Sequence, residues 1–376
     1  MIKKPLTLFA LALAACGSNG AKIQFTASGE VLALGGYDFP PAQPGDPDFV
    51  DGWEVRFEKL LVTVDKISLY ENPDTSPADQ SKTGRKIAEV DGPWAIDLHR
   101  GGPLTGKGGS DEQAYPLVTL ENQNLNGKAD FDVTQRYGFG FDLVPASASA
   151  IRLQLDANDP DYAEMIANGY VVLYAGTATW KGDASCQSSS SGYDFSAMPK
   201  VVHFKLGFKS PTTYLNCQNP DLDPAKPLGG EEHERGVQPK AHDTVVAQVT
   251  VHTDHPFWES FTHDSPAHFD PLAALAVNDG SGAFSVTLEA AKGVNYTAFT
   301  FGANPLPWRW CDSTYAPPNG GSQMGFDSLT IPYRPSGDPS TSMRDFYDYL
   351  TYNQSTQGHL DSDGLCFVQR NYASPP

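Results

Sequence analysis

The chain has 376 residues and a formal net charge of −19 at neutral pH, with 45 acidic against 26 basic side chains. This excess of negative charge repels nucleic acid and anionic lipid surfaces and attracts cations, so nucleic acid is not an expected partner. Charged residues make up only 19% of the sequence, and 35 glycines and 30 prolines indicate a loop-rich β protein rather than a helical one.

The first residues have the pattern of an export signal. A short basic start, MIKK, precedes the apolar run PLTLFALALAA. This run is too short to span a bilayer as a helix but has the length of a secretory signal core. It ends in the sequence LAAC at 13–16, followed by Gly17. This stretch resembles the lipobox of bacterial lipoproteins, in which small residues give the signal peptidase access to the bond before a cysteine.

The resemblance implies a lipid anchor. Residues 1–15 would be the signal peptide, Cys16 the acylated first residue of the mature chain, and 16–21 a short lipidated tether. Three acyl chains on one residue suffice for stable anchoring in the bilayer. Glycine rather than aspartate at position 17 favours the outer membrane if the cell is Gram-negative, so we expect a cell-envelope location. The alternative is an ordinary secretory signal with an incidental cysteine.

Residues 22–182 predict an N-terminal antiparallel β-sandwich. Apolar residues alternate with polar ones along 53–70, with a bulge expected near Leu60, and turn-forming clusters separate the strands. Further strands are predicted at 23–34, 85–90, 94–98, 137–144, 150–156 and 169–180. One short helix is predicted at 159–167, beginning beside Pro160 and ending before Gly169.

Residues 183–376 predict a second β-rich region packed against the first, with a histidine-rich loop and a C-terminal helix. Strands are expected at 200–208, 244–252 and 282–291. A short helix should open at Asp270-Pro271, and a longer one is predicted over 340–353. The predicted fold class is therefore mainly β, one or more antiparallel sandwiches with a few short helices and long loops.

Four cysteines remain after Cys16, and an even number in an exported protein indicates two disulfides. They are Cys186, Cys217, Cys311 and Cys366. Three pairings are possible. We favour Cys186–Cys217 and Cys311–Cys366, because each pair would close one loop-rich region. A four-cysteine zinc site is disfavoured because the sequence has no C-x-x-C spacing.

The segment VHTDHPFWESFTHDSPAHFDP, residues 251–271, is the strongest functional candidate. It holds four of the nine histidines of the chain, interleaved with carboxylates, which is the donor set of zinc and copper(II). Candidate ligands are His252, Asp254, His255, His263 and His268, with His233 and His242 as possible additions. The ligands converge only if the chain turns at 253–256, since a straight strand would place His252 and His255 on opposite faces. The alternative is a polar loop whose histidines cap turns.

Two other stretches offer weaker alternatives. Residues 122–132 resemble a calcium loop but lack its first aspartate and last glutamate, and Asn126-Gly127 is a strong hairpin signal, so calcium is the less favoured cation. Trp308, Trp310 and Tyr315 are candidates for a carbohydrate-stacking platform. Neither G-x-S-x-G nor H-E-x-x-H occurs. We therefore expect a metal-binding envelope lipoprotein, with a carbohydrate-binding, adhesion or purely structural lipoprotein as the alternatives. A site of three histidines with an open position could activate water, which would make a hydrolase the enzymatic variant.

The lipobox resemblance makes a direct prediction for Cys16→Ser. Without the acylated cysteine, the protein should move to the soluble fraction or remain unprocessed, because the chain loses its acyl chains. Fractionation of cells followed by a carbonate wash measures this. A variant that stays with the membrane like the parent protein would show that Cys16 is not the anchor.

Overall fold

The computed structural model describes residues 19–188, 193–222, 226, 229–294, 307–316 and 331–375. The leader, including Cys16, lies outside these residues. Within them, no helix combines the length and the apolar character needed to cross a membrane.

The described residues form mainly β-strands, numbered here in chain order. The first group comprises β1 (Lys22–Ser28), β2 (Trp53–Tyr70), β3 (Lys86–Val90), β4 (Trp94–Asp97), β5 (Leu104–Gly106), β6 (Gly109–Leu120), β7 (Gly138–Leu143), β8 (Ile151–Leu153) and β9 (Val172–Trp180). The second comprises β10 (Gln187–Ser188), β11 (Val201–Phe208), β12 (Thr212–Leu215), β13 (Thr244–Val251), β14 (Val277–Asn278), β15 (Phe284–Thr287), β16 (Arg309–Trp310), β17 (Gly358–Leu360), β18 (Gly364–Leu365) and β19 (Phe367–Arg370).

The helices are short. They are α1 (Glu30–Gly35), α2 (Pro160–Asn168), α3 (Asp270–Ala273) and α4 (Phe346–Gln354), with single 3-10 turns at Phe195–Ala197, His255–Phe257 and Leu288–Ala291. The mainly-β prediction, with a few short helices, is therefore confirmed.

Two large sheets and one small ribbon make up the β structure. The six-stranded sheet has the order β18-β17-β13-β1-β6-β5. The eleven-stranded sheet runs β14-β15-β11-β9-β2-β7-β12-β19, with β3 and β4 paired to β2 and β8 paired to β4, while β10 and β16 form the ribbon. The sheets are mixed rather than purely antiparallel, because the pairs β1–β13, β4–β8 and β11–β15 are parallel. Each parallel pair joins strands that no tight hairpin connects, so hairpin geometry does not impose an antiparallel direction.

Both large sheets take strands from both sides of the boundary expected at residue 182. In the larger sheet, β9 and β11 are direct neighbours, and in the smaller one β1 pairs with β13. One apolar core then connects the two sheets, as the contact between Phe25 of β1 and Phe139 of β7 illustrates. The histidine-rich segment follows β13, so its position depends on pairing between distant parts of the chain.

The long strand β2 matches the predicted range and carries the centre of the core. Its pairing with β9 shifts register between Phe57 and Lys59, close to the bulge expected at Leu60. Burial is continuous over residues 60–64 because both faces of the strand are covered. Leu60 packs into the main core, while Leu61 packs with Met165 of α2.

The helices follow their local signals. The Asp159 side chain accepts hydrogen bonds from two backbone N–H groups of α2, and Gly169 ends that helix in the left-handed conformation. Helix α4 begins at Phe346, later than the predicted 340, because Asp345 caps it. The strand predicted over 23–34 is wrong after Ser28, where α1 begins instead.

The predicted disulfide connectivity is wrong. Cys186 bonds to Cys311 and Cys217 bonds to Cys366, so each bridge joins distant segments instead of closing one local loop. The reason lies in the sheets: β12, which ends before Cys217, pairs with β19, which begins after Cys366. That pairing brings the two cysteines together across a separation of 149 residues. The expectation of two disulfides is confirmed.

These bridges should contribute strongly to stability. Denatured mature protein, with Cys16 lipidated as expected, should show no free thiol without reductant, and peptide mapping should recover the linked pairs Cys186–Cys311 and Cys217–Cys366. Replacing Cys217 and Cys366 together by serine should lower the free energy of unfolding by about 4–5 kcal/mol, because the closed loop is long. Titratable thiols, or a linked Cys186–Cys217 peptide, would contradict this arrangement.

Candidate metal centre

The chain turns sharply at the end of β13. The backbone N–H of Phe257 donates to the carbonyl of Asp254 at 2.7 Å, and Pro256 lies within the 3-10 turn His255–Phe257. The Thr253 hydroxyl is hydrogen-bonded to the Tyr37 hydroxyl at 2.7 Å, which anchors the turn to the core. The turn required at 253–256 is therefore present, and the straight-strand alternative, which would separate His252 from His255, is excluded.

A third histidine reaches this turn from the end of the chain. β17 pairs antiparallel with β13 so that His359 lies opposite Thr250 and Gly358 lies opposite Val251. His359 was not predicted as a ligand, because it lies far from the histidine-rich segment and no other histidine is near it in the sequence. The missing signal is the pairing of a three-residue strand more than a hundred residues away, and no local pattern reveals it.

The three rings form a compact group. His252 and His359 stack with ring centroids 4.0 Å apart, and His255 stands perpendicular to both at 5.3 Å. One ring nitrogen from each of the three lies within 4.8 Å of the others, and the group could hold a metal ion. Metal–nitrogen bonds of about 2.1 Å place tetrahedral ligand nitrogens roughly 3.4 Å apart, a separation that lies inside this 4.8 Å limit.

The hydrogen bonds of His255 determine which of its nitrogens is free. The Thr356 hydroxyl donates to the carbonyl of Asn353, so it must accept from His255 Nδ1, which lies 2.6 Å away. The proton is therefore on Nδ1, and the lone pair is on Nε2. That Nε2 is buried and has no hydrogen-bond partner among the described residues. A metal ion would satisfy this lone pair, whose burial without a partner costs about 1–3 kcal/mol.

The other two rings complete the donor set. His359 Nδ1 is also buried without a partner in the described structure. His252 Nε2 lies 3.1 Å from the carbonyl of Ser362, which can only accept, so its Nδ1 remains for a metal. Glu30 Oε1 is 3.5 Å from His252 Nε2 and orients this ring as an outer carboxylate.

Burial keeps two of the rings neutral. His255 and His359 are each 1% exposed. Their pKa values lie well below the usual range because burial, followed by repulsion from neighbouring histidines, disfavours the imidazolium form. Burial also opposes protonation of His252, but the charges of Glu30 and Asp254 outweigh it and raise the pKa of this residue. Neutral imidazole is the form that binds metal.

One side of the group faces a cavity of about 220 Å³. His255, His263 and His359 line it together with Trp258 and Phe261. Trp258 stacks on His255 with centroids 3.7 Å apart. The ring of His263 lies 5.5 Å from that of His359, and its buried Nε2 has no partner among the described residues. His263 therefore borders the centre without belonging to the converging three.

Two predicted ligands lie elsewhere. His268 is in a separate buried cluster, where its Nε2 lies 2.8 Å from Glu259 Oε2. His268 lies there because the chain folds back after Phe257, and the backbone N–H of His268 donates to the carbonyl of Phe257. Asp254 lines a different, acidic cavity. The centre thus takes His252 and His255 from the predicted set and adds His359.

The possible additional ligands do not join the centre. His233 lies 3.9 Å from the Glu232 carboxylate, and His242 is exposed beside Gly20. In the part of the chain that the structure describes, a second converging group consists of Glu30, His252 and Asp363. It shares His252 with the first group, so one ion could occupy one position or the other.

The calcium-like loop uses its side chains locally. Asn124 makes two hydrogen bonds with the backbone of Glu89, and Gln123 pairs with Ala129 across a turn in which Gly127 has a φ of 64°. These amide groups support the turn instead of converging on a cation.

The tryptophan loop is largely covered. Trp308 is 1% exposed and packs 5.5 Å from the half-buried ring of Trp310, while the Tyr315 hydroxyl donates to Glu259 at 2.7 Å. Trp308 therefore presents no open face to a sugar.

The buried histidines predict a pH-dependent stability. Unfolded His359 takes up a proton below about pH 6.5, while the folded residue stays neutral to much lower pH, so the free energy of unfolding falls as pH falls. With a chelator present, lowering the pH from about 7.5 to 5 should reduce the free energy of unfolding of His359→Asn less than that of the parent. The difference should be about 1.4 kcal/mol for each unit by which folding lowers the pKa of His359.

The control for this measurement is His203→Asn, which changes an exposed histidine of β11. Denaturant titrations at each pH should give the same pH dependence for this variant as for the parent. Parallel curves for His359→Asn and the parent would contradict the neutral, buried state of His359.

Comparison of the chain with known proteins found no relative. The chain matches no family model, no curated protein and no solved structure.

Proposed function

We propose that this protein is a lipid-anchored protein of the bacterial cell envelope that binds a divalent transition metal ion, zinc or copper(II), through His252, His255 and His359. The observation that carries the proposal is the convergence of three histidine nitrogens, two of them buried without a hydrogen-bond partner in the described structure.

The donor atoms favour zinc or copper(II) over calcium. Imidazole nitrogen suits these borderline metals, whereas calcium takes six to eight oxygen ligands. Three imidazoles supply no charge, so the surrounding field matters. Glu30 lies beside His252, and the whole chain has a net charge of −19, which raises the local concentration of cations.

The envelope location rests on the leader. The lipobox-like sequence at 13–16 supports acylation of Cys16, with the bilayer as the partner of the acyl chains. β1 begins at Lys22, so only a short tether separates the proposed lipid from the folded body. β1 runs parallel to β13 from Lys22 opposite Thr244 to Ser28 opposite Thr250, so the metal centre would lie at the end of these strands away from the tether.

The cavity beside the three histidines favours one second candidate, metal-assisted hydrolysis. A site with three histidine ligands and an open fourth position can lower the pKa of a bound water. The cavity of about 220 Å³ provides space for such a water and a small substrate. Turnover of an activated ester by the zinc-loaded protein, lost in His255→Ala, would favour this candidate over simple binding.

The central test is the paired change His255→Ala with His359→Ala. Protein purified without an affinity tag should contain close to one zinc or copper ion per chain after loading, and the double variant should contain none. We expect affinity to fall more than about 100-fold, since removing an outer-shell partner alone costs roughly 10–100-fold. Elemental analysis and competition with a chelator of known affinity measure both quantities.

His203→Ala is the matched control, because it removes an exposed histidine from β11. It should retain full metal content. His263→Ala should have a smaller effect than either ligand change, since His263 lies outside the converging three. Equal metal content in the double variant and in His203→Ala would overturn the proposal.

A further inference from the structure

A second and larger cavity, of about 620 Å³, lies on the side of the histidine-rich segment to which Asp254 points. Its lining is strongly acidic. Six carboxylates contribute to it, from Asp46, Asp48, Asp254, Glu259, Asp264 and Asp312. No lysine, arginine or histidine lines it among the described residues. Its volume is within the range of small-molecule sites.

Glu259 is the most buried of these carboxylates, with only 5% of its surface exposed. Its two oxygens differ. Oε2 accepts a hydrogen bond from the Tyr315 hydroxyl at 2.7 Å and lies 2.8 Å from His268 Nε2. Oε1 has no hydrogen-bond partner among the described residues, although Glu259 lines the cavity. This oxygen is not fully buried, so it is open to the cavity and can accept from a ligand. Among the described residues that line the cavity, the fully buried polar atom without a partner is Asp48 Oδ2, which a donor from a ligand would satisfy.

Several hydrogen bonds connect the residues behind Glu259. Burial opposes protonation of His268, but its hydrogen bond to Glu259 and the nearby acids outweigh this and raise its pKa. Asp51 Oδ2 accepts the backbone N–H groups of Phe269 and Asp270, both at 2.7 Å. Arg309 forms two hydrogen bonds with Asp270. These contacts hold Glu259 in place without using its Oε1.

The carboxylates are spread around the cavity instead of meeting at one point. In the described part of the chain, the two groups whose ligand atoms converge both contain His252, and neither contains an acid that lines this cavity. A metal ion needs convergent oxygens, whereas dispersed negative charge matches a ligand with several separated positive charges. The half-buried Tyr315 adds aromatic surface for the apolar parts of such a ligand.

We propose that this cavity binds a linear oligoamine, a flexible chain with two or more protonated amino groups, and that Glu259 Oε1 receives one ammonium group. The remaining carboxylates pair with the other ammonium groups or attract them over longer range. Asp48 supports this arrangement, because burial and the neighbouring charge of Asp312 raise its pKa to about 6, and a bound cation would relieve that repulsion. The site is independent of the proposed metal centre.

The test is isothermal titration with spermidine at about 0.15 M salt, where long-range attraction is largely screened. The parent protein should bind it saturably with one site per chain. Glu259→Gln should weaken binding about tenfold or more, because it removes a charge-assisted hydrogen bond. The glutamine oxygen can still accept from Tyr315, so the wall should keep its shape.

Glu232→Gln is the matched control, because it removes the same charge from a side chain that is 71% exposed and lies outside the cavity. It should bind spermidine like the parent. If Glu259→Gln fails to fold, Asp48→Asn replaces it and should also weaken binding. Equal affinity of the cavity variant and Glu232→Gln would overturn the proposal, and so would the absence of saturable binding.

Two further arms separate the possible outcomes. Stoichiometric binding of calcium that Glu259→Gln abolishes, without binding of spermidine, would overturn the oligoamine in favour of a metal ion. The double variant of His255 and His359 should bind spermidine like the parent. The two proposals can therefore fail separately. If metal binding is absent, the oligoamine proposal is unaffected, and if spermidine does not bind, the metal proposal is unaffected.

Discussion

The candidate metal centre depends on the register between β13 and β17. This register sets His359 opposite Thr250, next to the turn that carries His252 and His255. A slip of one residue would turn the His359 side chain to the other face of the sheet, because successive residues of a strand point to opposite faces. The centre therefore exists only while this three-residue strand stays in register.

Several contacts hold that register. The Gln248 N–H donates to Asp361 Oδ1 at 2.7 Å, and Lys107 Nζ lies 3.2 Å from the other oxygen of the same carboxylate. The Cys217–Cys366 disulfide joins the end of this hairpin to β12. Cys366 also lines the cavity beside the histidines, so the bridge supports the wall of the candidate site as well as the fold.

One segment, residues 252–268, contributes to two cavities of opposite chemistry. On one side, burial and mutual repulsion keep His255 and His359 neutral, which provides nitrogen lone pairs. On the other side, Asp254 and Glu259 face an acidic space. The turn at Pro256 produces this division, since it directs His255 toward β17 while Asp254 remains on the outer side. Both proposed ligands are cations, which agrees with the acidic charge of the whole chain.

The features that the sequence predicts correctly are those whose signals are local. The alternation along β2, the Asp159 and Gly169 ends of α2 and the turn at Pro256 each depend on neighbouring residues, and all three are present. Other features emerge only in the folded chain: the parallel strand pairs, the disulfide connectivity, the helix at Glu30–Gly35 and the separation of His268 from the centre. The completion of the set by His359 is another such feature. His255 is hydrogen-bonded to a residue 101 positions away, and contacts of that kind follow from which strands pair, a choice that no short stretch of residues encodes.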